Sequence, residues 1–240
     1  MATSLLLLAV LGLLGGALTT VAGMGGGLMV VAALVALRGP HEALAITTPA
    51  LLLSNSHRAW LFRADLDWRV AGRFALGAVP AAALVGYMVP ALPGWLLALV
   101  LVSATVVTLA RSMGWIELRP SPRAITSAGA GIGALAATAG GAGVLTAPLF
   151  LSAGLTGPRY VGTIALAAVA MHSGRMLGYG TGGMLHAALL PAMGVLLAGL
   201  VAGNLAGRRL RDEVDAKLER RVELGALVLC TVLAVAGIRG

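Results

Sequence analysis

The positions able to do chemistry in this sequence are two glycine clusters and two short polar clusters. The glycine clusters, Gly23-Met24-Gly25-Gly26-Gly27 and Gly140-Gly141-Ala142-Gly143, each interrupt an apolar run. The polar clusters are Asn55, His57 and Arg58 in the first half, and His172, Ser173 and Arg175 in the second. Glycine permits a chain break where backbone N–H groups can be approached closely, and a helix restarting after the break presents unpaired N–H groups at the positive end of its dipole. With arginine and histidine nearby, the chemistry this points to is binding of an anion. The candidate ligands are therefore the backbones of Gly25, Gly26, Gly27, Gly141 and Gly143, with Asn55 and Ser173 to orient the anion and His57, His172 and Arg175 to supply charge. Arg58 lies near the end of its apolar span and reads as a cation snorkelling to the membrane surface.

Catalysis fits poorly. Ser173 follows His172, but the residue two before it is Met171, so the Gly-x-Ser-Gly setting of a serine nucleophile is absent. There is no His-Glu-x-x-His motif, and the single cysteine, Cys230, excludes an intrachain disulfide and a cysteine-based metal site. The expectation is no catalytic residue, no metal and no cofactor.

The elements that must position these residues lie in a membrane. Hydrophobic residues make up 59% of the 240 and charged residues 11%, and mean hydropathy is +0.95, a composition that places the chain outside the soluble class. The apolar runs are long and unbroken, which indicates helices and not the alternating segments of a barrel. The net charge of +8 is scattered through short loops, the pattern of topology signals and lipid contact, not of nucleic-acid binding. No Lys or Arg precedes Arg38, so the first apolar run is expected to stay as a membrane element and not to be a cleaved signal.

The fold class expected is an all-α polytopic membrane protein of two inverted repeats. Each repeat is a glycine-rich broken hairpin plus three transmembrane helices, about eight apolar segments in all. The repeats are 1–115, with hairpin 5–37 and spans 43–62, 70–89 and 94–112, and 116–240, with hairpin 124–153 and spans 160–180, 184–206 and 222–238. Residues 5–37 as one helix would be about 50 Å long against a hydrocarbon core of about 30 Å, so a break is required. An offset of 118 sets Gly39-Pro40 on Gly157-Pro158 and Ser54-Asn55-Ser56-His57 on His172-Ser173-Gly174-Arg175. Treating both broken segments as re-entrant leaves only Arg38, Arg175 and Arg239 of the 17 Lys and Arg residues toward the outside, as the positive-inside bias prefers. Both termini then lie outside the cytoplasm, and an odd number of crossings per half makes the second half inverted. Gly199, Gly203 and Gly207 read as packing glycines, and 208–221 as a solvated surface helix. All nine acidic residues fall in loops or at span ends, and the missing midplane carboxylate argues for a negatively charged solute.

The glycine hairpins, Thr47-Thr48-Pro49, Ser54-Asn55-Ser56 and their echo at Gly140–Gly143 and His172–Gly174 resemble the TauE/SafE family of sulfite and organosulfonate exporters, over nearly the whole chain. The resemblance implies an inner-membrane transporter of sulfite, sulfoacetate, another organosulfonate or thiosulfate, working by alternating access. The partners it implies are the small anion, the lipid bilayer, a coupling proton or sodium ion, and a second copy of the chain. An uptake carrier for a similar anion and a non-transporting scaffold or assembly protein are the alternatives.

Overall fold

The structure is a computed structural model that describes residues 2–22, 25–115, 121, 124–140 and 143–210, with isolated positions 225, 228, 229 and 232. The expected span 222–238, the surface helix beyond Leu210, and Gly141 lie outside the described residues. The described chain is helical throughout: α1 Ala2–Ala22, α2 Gly26–Arg38, α3 Pro40–Leu61, α4 Trp68–Met88, α5 Gly94–Ser112, α6 Ile125–Ala139, α7 Gly143–Ser152, α8 Gly157–Thr181 and α9 Leu190–Leu210.

Among the described residues, three stretches are long and apolar enough to cross a membrane by length and composition: Leu5–Ala22, Trp68–Ala91 and Ala187–Leu210. Their outward side chains are apolar, with Leu6, Leu14, Leu76, Leu84, Leu190 and Leu205 all exposed, as lipid contact requires. α3 and α8 have 22 and 25 residues, long enough to span at about 33 and 37 Å, yet they carry the buried polar groups Thr47, Thr48, Ser54, Asn55, Arg58, Thr163, His172 and Arg175. Helices of that composition belong inside a bundle. They pack against each other at the centre, antiparallel: α8 starts where α3 stops, and a Cβ on Gly162 would lie 3.0 Å from Cβ of Phe62.

Both glycine breaks fold the chain back. α1 ends at Ala22 and α2 returns along it, so a Cβ on Gly15 would press into Val30, and one on Gly26 would overlap the carbonyl oxygen of Gly15 and Oγ1 of Thr19. A kinked crossing would have carried α2 away from α1. In the second break, α6 and α7 pack together, and their 15 and 10 residues reach only about 22 and 15 Å. Gly25 at φ 90° and Gly140 at φ 73° occupy the left-handed region that other residues adopt at a cost.

The first arm of each hairpin is clamped by a glycine seam against a long helix of the other half. On α1 and α9, Gly12 and Gly207 would place a Cβ 2.6 and 2.7 Å from the carbonyl oxygens of Leu196 and Ala17, and Gly16, Gly199 and Gly203 have no more room. On α4 and α6 the same construction recurs: Gly129 and Gly133 would each put a Cβ 2.5 Å from a carbonyl oxygen, of Phe74 and Ala78. Close backbone approach is how helices associate where lipid removes the hydrophobic drive. Asn204 on α9 ties this seam to the centre, accepting from Thr20 Oγ1 at 3.0 Å and donating to the carbonyl and hydroxyl oxygens of Ser54, each at 3.0 Å.

Candidate functional site

Each central helix carries an arginine one turn after a hydrogen-bond acceptor, and each arginine reaches the end of a hairpin arm. On α3, Arg58 donates through Nη2 to Asn55 Oδ1 at 2.7 Å and through Nη1 to the carbonyl oxygen of Thr19 at 2.8 Å. On α8, Arg175 donates through Nη1 to His172 Nδ1 at 2.9 Å and to the carbonyl oxygen of Gly140 at 3.1 Å. The i,i+3 spacing brings acceptor and arginine onto one face of their helix. The carbonyls they take are at the C-terminal, electronegative ends of α1 and α6, where a cation is stabilised.

Arg58 is 3% exposed and Arg175 is fully buried. The structure thus corrects the reading of Arg58 as a snorkelling charge: its guanidinium points inward to Thr19 and Asn55 because the end of α1 lies within its reach. Burying an arginine is costly unless its donors are met. Arg175 is met on one side only. Its Nε donates to Tyr179 Oη at 3.4 Å, its guanidinium carbon lies 5.4 Å from that ring's centroid, and the tyrosine hydroxyl in turn donates to the carbonyl oxygen of Ala137. Its Nη2 is buried with no hydrogen-bond partner among the described residues. An orphaned guanidinium N–H in a buried setting is a place for an anion.

The hairpin tips supply further donors. α2 starts at Gly26 behind Gly25, which gives no side-chain cap, and Gly26 and Leu28 are buried. Gly140, at the tip of the second hairpin, sits against the first half: a Cβ there would lie 2.8 Å from Val31 on α2 and 2.9 Å from Leu44 on α3. α7 begins at Gly143.

Not all the residues expected from the sequence meet here. Asn55 pairs with Arg58 at the end of α1, and His172 pairs with Arg175 at Gly140. Asn55 is already committed, with Nδ2 donating to the carbonyl of Leu51 at 2.7 Å and Oδ1 taken by Arg58. His57 faces the other way, its ring stacked on the exposed Trp60 at 6.4 Å between centroids. Ser173 is half-buried on the flank of α8 that carries the exposed Leu177. Of the neighbouring hydroxyls, Thr20 and Ser54 are bound to Asn204, and Thr19 bonds its own helix at Gly15. Gly26 is small because α1 leaves no room for a side chain; what it can offer a ligand is its backbone.

Tyr179 and Asn204 escaped the sequence reading. Tyrosine in an apolar run reads as core or interface anchor, and only its place one turn after Arg175 hinted otherwise. The structure also shifts the register between the halves by one residue. Asn55 with Arg58 and His172 with Arg175 are 117 apart, as are Gly12 with Gly129 and Gly16 with Gly133, whereas the offset of 118 had set Asn55 on Ser173 and His57 on Arg175. One residue on a helix is about 100°, which is why that offset favoured two residues on the wrong flank.

Searches against curated proteins and against solved structures return no match. The sequence profile of the sulfite exporter TauE/SafE family matches residues 8–236. Nearly the whole chain is covered, and the protein belongs to the TauE/SafE family, a family of multi-pass membrane transporters that export sulfite.

Proposed function

We propose that this chain exports a small sulfur-containing oxyanion, sulfite, thiosulfate or an organosulfonate such as sulfoacetate, by alternating access around the crossing of α3 and α8. The observation that carries the reading is Arg175, wholly buried at the tip of the second hairpin with Nη2 unpartnered among the described residues. A fixed cation with a spare donor asks for an anionic oxygen, and the uncapped start of α2 adds backbone N–H groups of the same sign. The family supplies sulfite as the type cargo and export as the direction.

The reciprocal seams, α1 on α9 and α6 on α4, and the paired acceptor–arginine clasps support two inverted repeats. Rocking one hairpin with its clamping helix against the other would open the site to alternate faces. The setting is the inner membrane, with loop 63–67 cytoplasmic by the placement of basic residues and both termini on the other side.

Thermal stability of the detergent-purified protein against a panel of sulfite, sulfoacetate, thiosulfate, sulfate and acetate tests the reading. A cargo at about 100 times its Kd stabilises by about 2.7 kcal/mol, which shifts the melting temperature visibly. At least one sulfur oxyanion should stabilise the wild type and fail to stabilise Arg175→Gln, while acetate does neither. Equal stabilisation of the variant, or none of the wild type by any sulfur oxyanion, contradicts the proposal.

A further inference from the structure

We propose that His172 is the proton-binding partner of the anion site: it takes a proton on Nδ1 as the anion arrives, letting go of Arg175, so that one proton enters with each anion. The inference rests on the anion-site reading above.

The contact between Arg175 Nη1 and His172 Nδ1 at 2.9 Å fixes the state of the ring. A guanidinium has five donors and no acceptor, and it stays protonated in proteins. Nδ1 must therefore offer its lone pair, and the ring is neutral with its proton on Nε2. His172 works as a latch, holding Nη1 on one side while the carbonyl oxygen of Gly140 holds it on the other. A proton on Nδ1 cannot coexist with that bond, because two N–H groups would face each other and two cations would adjoin. The lone pair of Nδ1 becomes an N–H bond, the Arg175 hydrogen bond is broken, and both freed donors point to whatever negative charge is present.

The charges around the ring set the order of events. Arg175, one turn on, is the cation that touches His172, and Arg58 is the cation of the facing helix α3. α4 carries Arg69 and Arg73 in its first turns and Tyr87 in its last, the turn before it carries Arg63 and Asp65, and α6 and α7 carry no ionisable residue. Tyr179 is bound to Ala137 through its hydroxyl. An oxyanion on Arg175 Nη2 would bring negative charge beside the ring and favour its proton. By linkage, the factor by which the anion raises proton affinity is the factor by which the proton raises anion affinity.

The other half shows what the site would be without the proton. Asn55 stands to Arg58 as His172 stands to Arg175, one turn earlier and accepting its hydrogen bond, but an amide oxygen does not titrate near neutrality. His172→Asn thus keeps an acceptor of proven reach and removes the proton.

The experiment is proton uptake on binding, read with a pH indicator in weakly buffered detergent solution, using thiosulfate and sulfoacetate, which keep their charge near neutrality, and sulfite with its own proton balance subtracted. Wild type should take up close to one proton per anion bound, and its affinity should fall about tenfold per pH unit above the titration of the ring, as one linked proton requires. His172→Asn should bind with no uptake and a flat pH profile. Binding by the wild type without uptake and with pH-independent affinity overturns the proposal and leaves the anion site standing, whether or not the variant folds. Undiminished uptake by His172→Asn puts the proton elsewhere and overturns it too. Failure of all three anions to bind overturns the anion site itself, and this inference with it.

Discussion

Tyr179 is the residue on which the second arginine's geometry turns. Its hydroxyl accepts from Arg175 Nε and donates to Ala137 O, so it fixes the guanidinium against the end of α6. Tyr179→Phe keeps the buried ring and removes both bonds, at a cost of about 1–3 kcal/mol. The variant should melt lower than wild type and bind its anion more weakly, as the freed guanidinium loses its preset direction. Titration calorimetry alongside a melting curve checks both, and unchanged values for each would show that the hydroxyl has no part in holding Arg175. The residue scale was also the least legible in the sequence. Arg175, His172 and Asn55 could be picked out because charge and amide inside an apolar span are conspicuous. Whether a neighbour such as Ser173 or His57 shares their face depends on a register of one residue, which composition does not carry. Arg58 was misjudged for a related reason: distance from a helix end predicts snorkelling only if nothing inside the bundle reaches the guanidinium first, and Thr19 does.

Among the elements, the broken segments were legible because length and glycine demanded them independently, and the packing role of Gly199, Gly203 and Gly207 followed from their four-residue spacing. Their partner was not legible. A small-residue stripe states that some backbone comes close and says nothing about which, and the answer, α1 across nearly the whole chain, is set by the hairpin folding back. Gly203 faces the carbonyl oxygen of Leu13 with no space for a methyl group. Gly203→Leu should force α9 from α1 and cut the monodisperse yield in detergent severalfold, whereas Gly131→Leu on α6, where a Cβ meets nothing within 4 Å, should leave yield near wild type. Size-exclusion profiles of the two decide it; equal yields would mean that the seam does not hold α1 in place. By the same geometry Gly26→Val is a folding lesion, since it collides with Gly15.

At the scale of the whole molecule, one face is tied shut across the halves. Asp67, the N-cap of α4, accepts from the N–H groups of Arg69 and Val70, pairs with Arg159 at 2.5 Å, and donates its own N–H to Thr163 Oγ1 at 2.9 Å. The Val70 N–H is the largest influence on its carboxyl; burial opposes it, and Arg159 and the Arg69 N–H add to it, so that the carboxyl is held below the ordinary value. A carboxyl depressed in the folded state contributes stability above its unfolded value and loses it as pH falls through the folded one. Asp67→Asn should therefore melt below wild type at neutral pH, with the gap closing on acidification into the carboxylate range; a gap constant with pH would refute the link. The opposite face has a cavity of about 400 Å³ lined by His41, Glu42, Gly183, Met184 and His186. The orientation of these faces has its own check: a C-terminal reporter active only in the cytoplasm should stay silent, and a strong signal would invert the assigned topology.

The central claim is that an oxyanion crosses the membrane by way of Arg175, and flux through purified protein in liposomes measures it without the ambiguities of a cell. Vesicles loaded with sulfite, thiosulfate or sulfoacetate and diluted into anion-free buffer should release at least one of them faster with wild-type protein than with empty liposomes. Arg175→Gln, reconstituted to the same density and monodisperse before reconstitution, should match the empty liposomes. Wild-type release at the empty-liposome rate for all three anions, or release by the variant at the wild-type rate, would contradict the account.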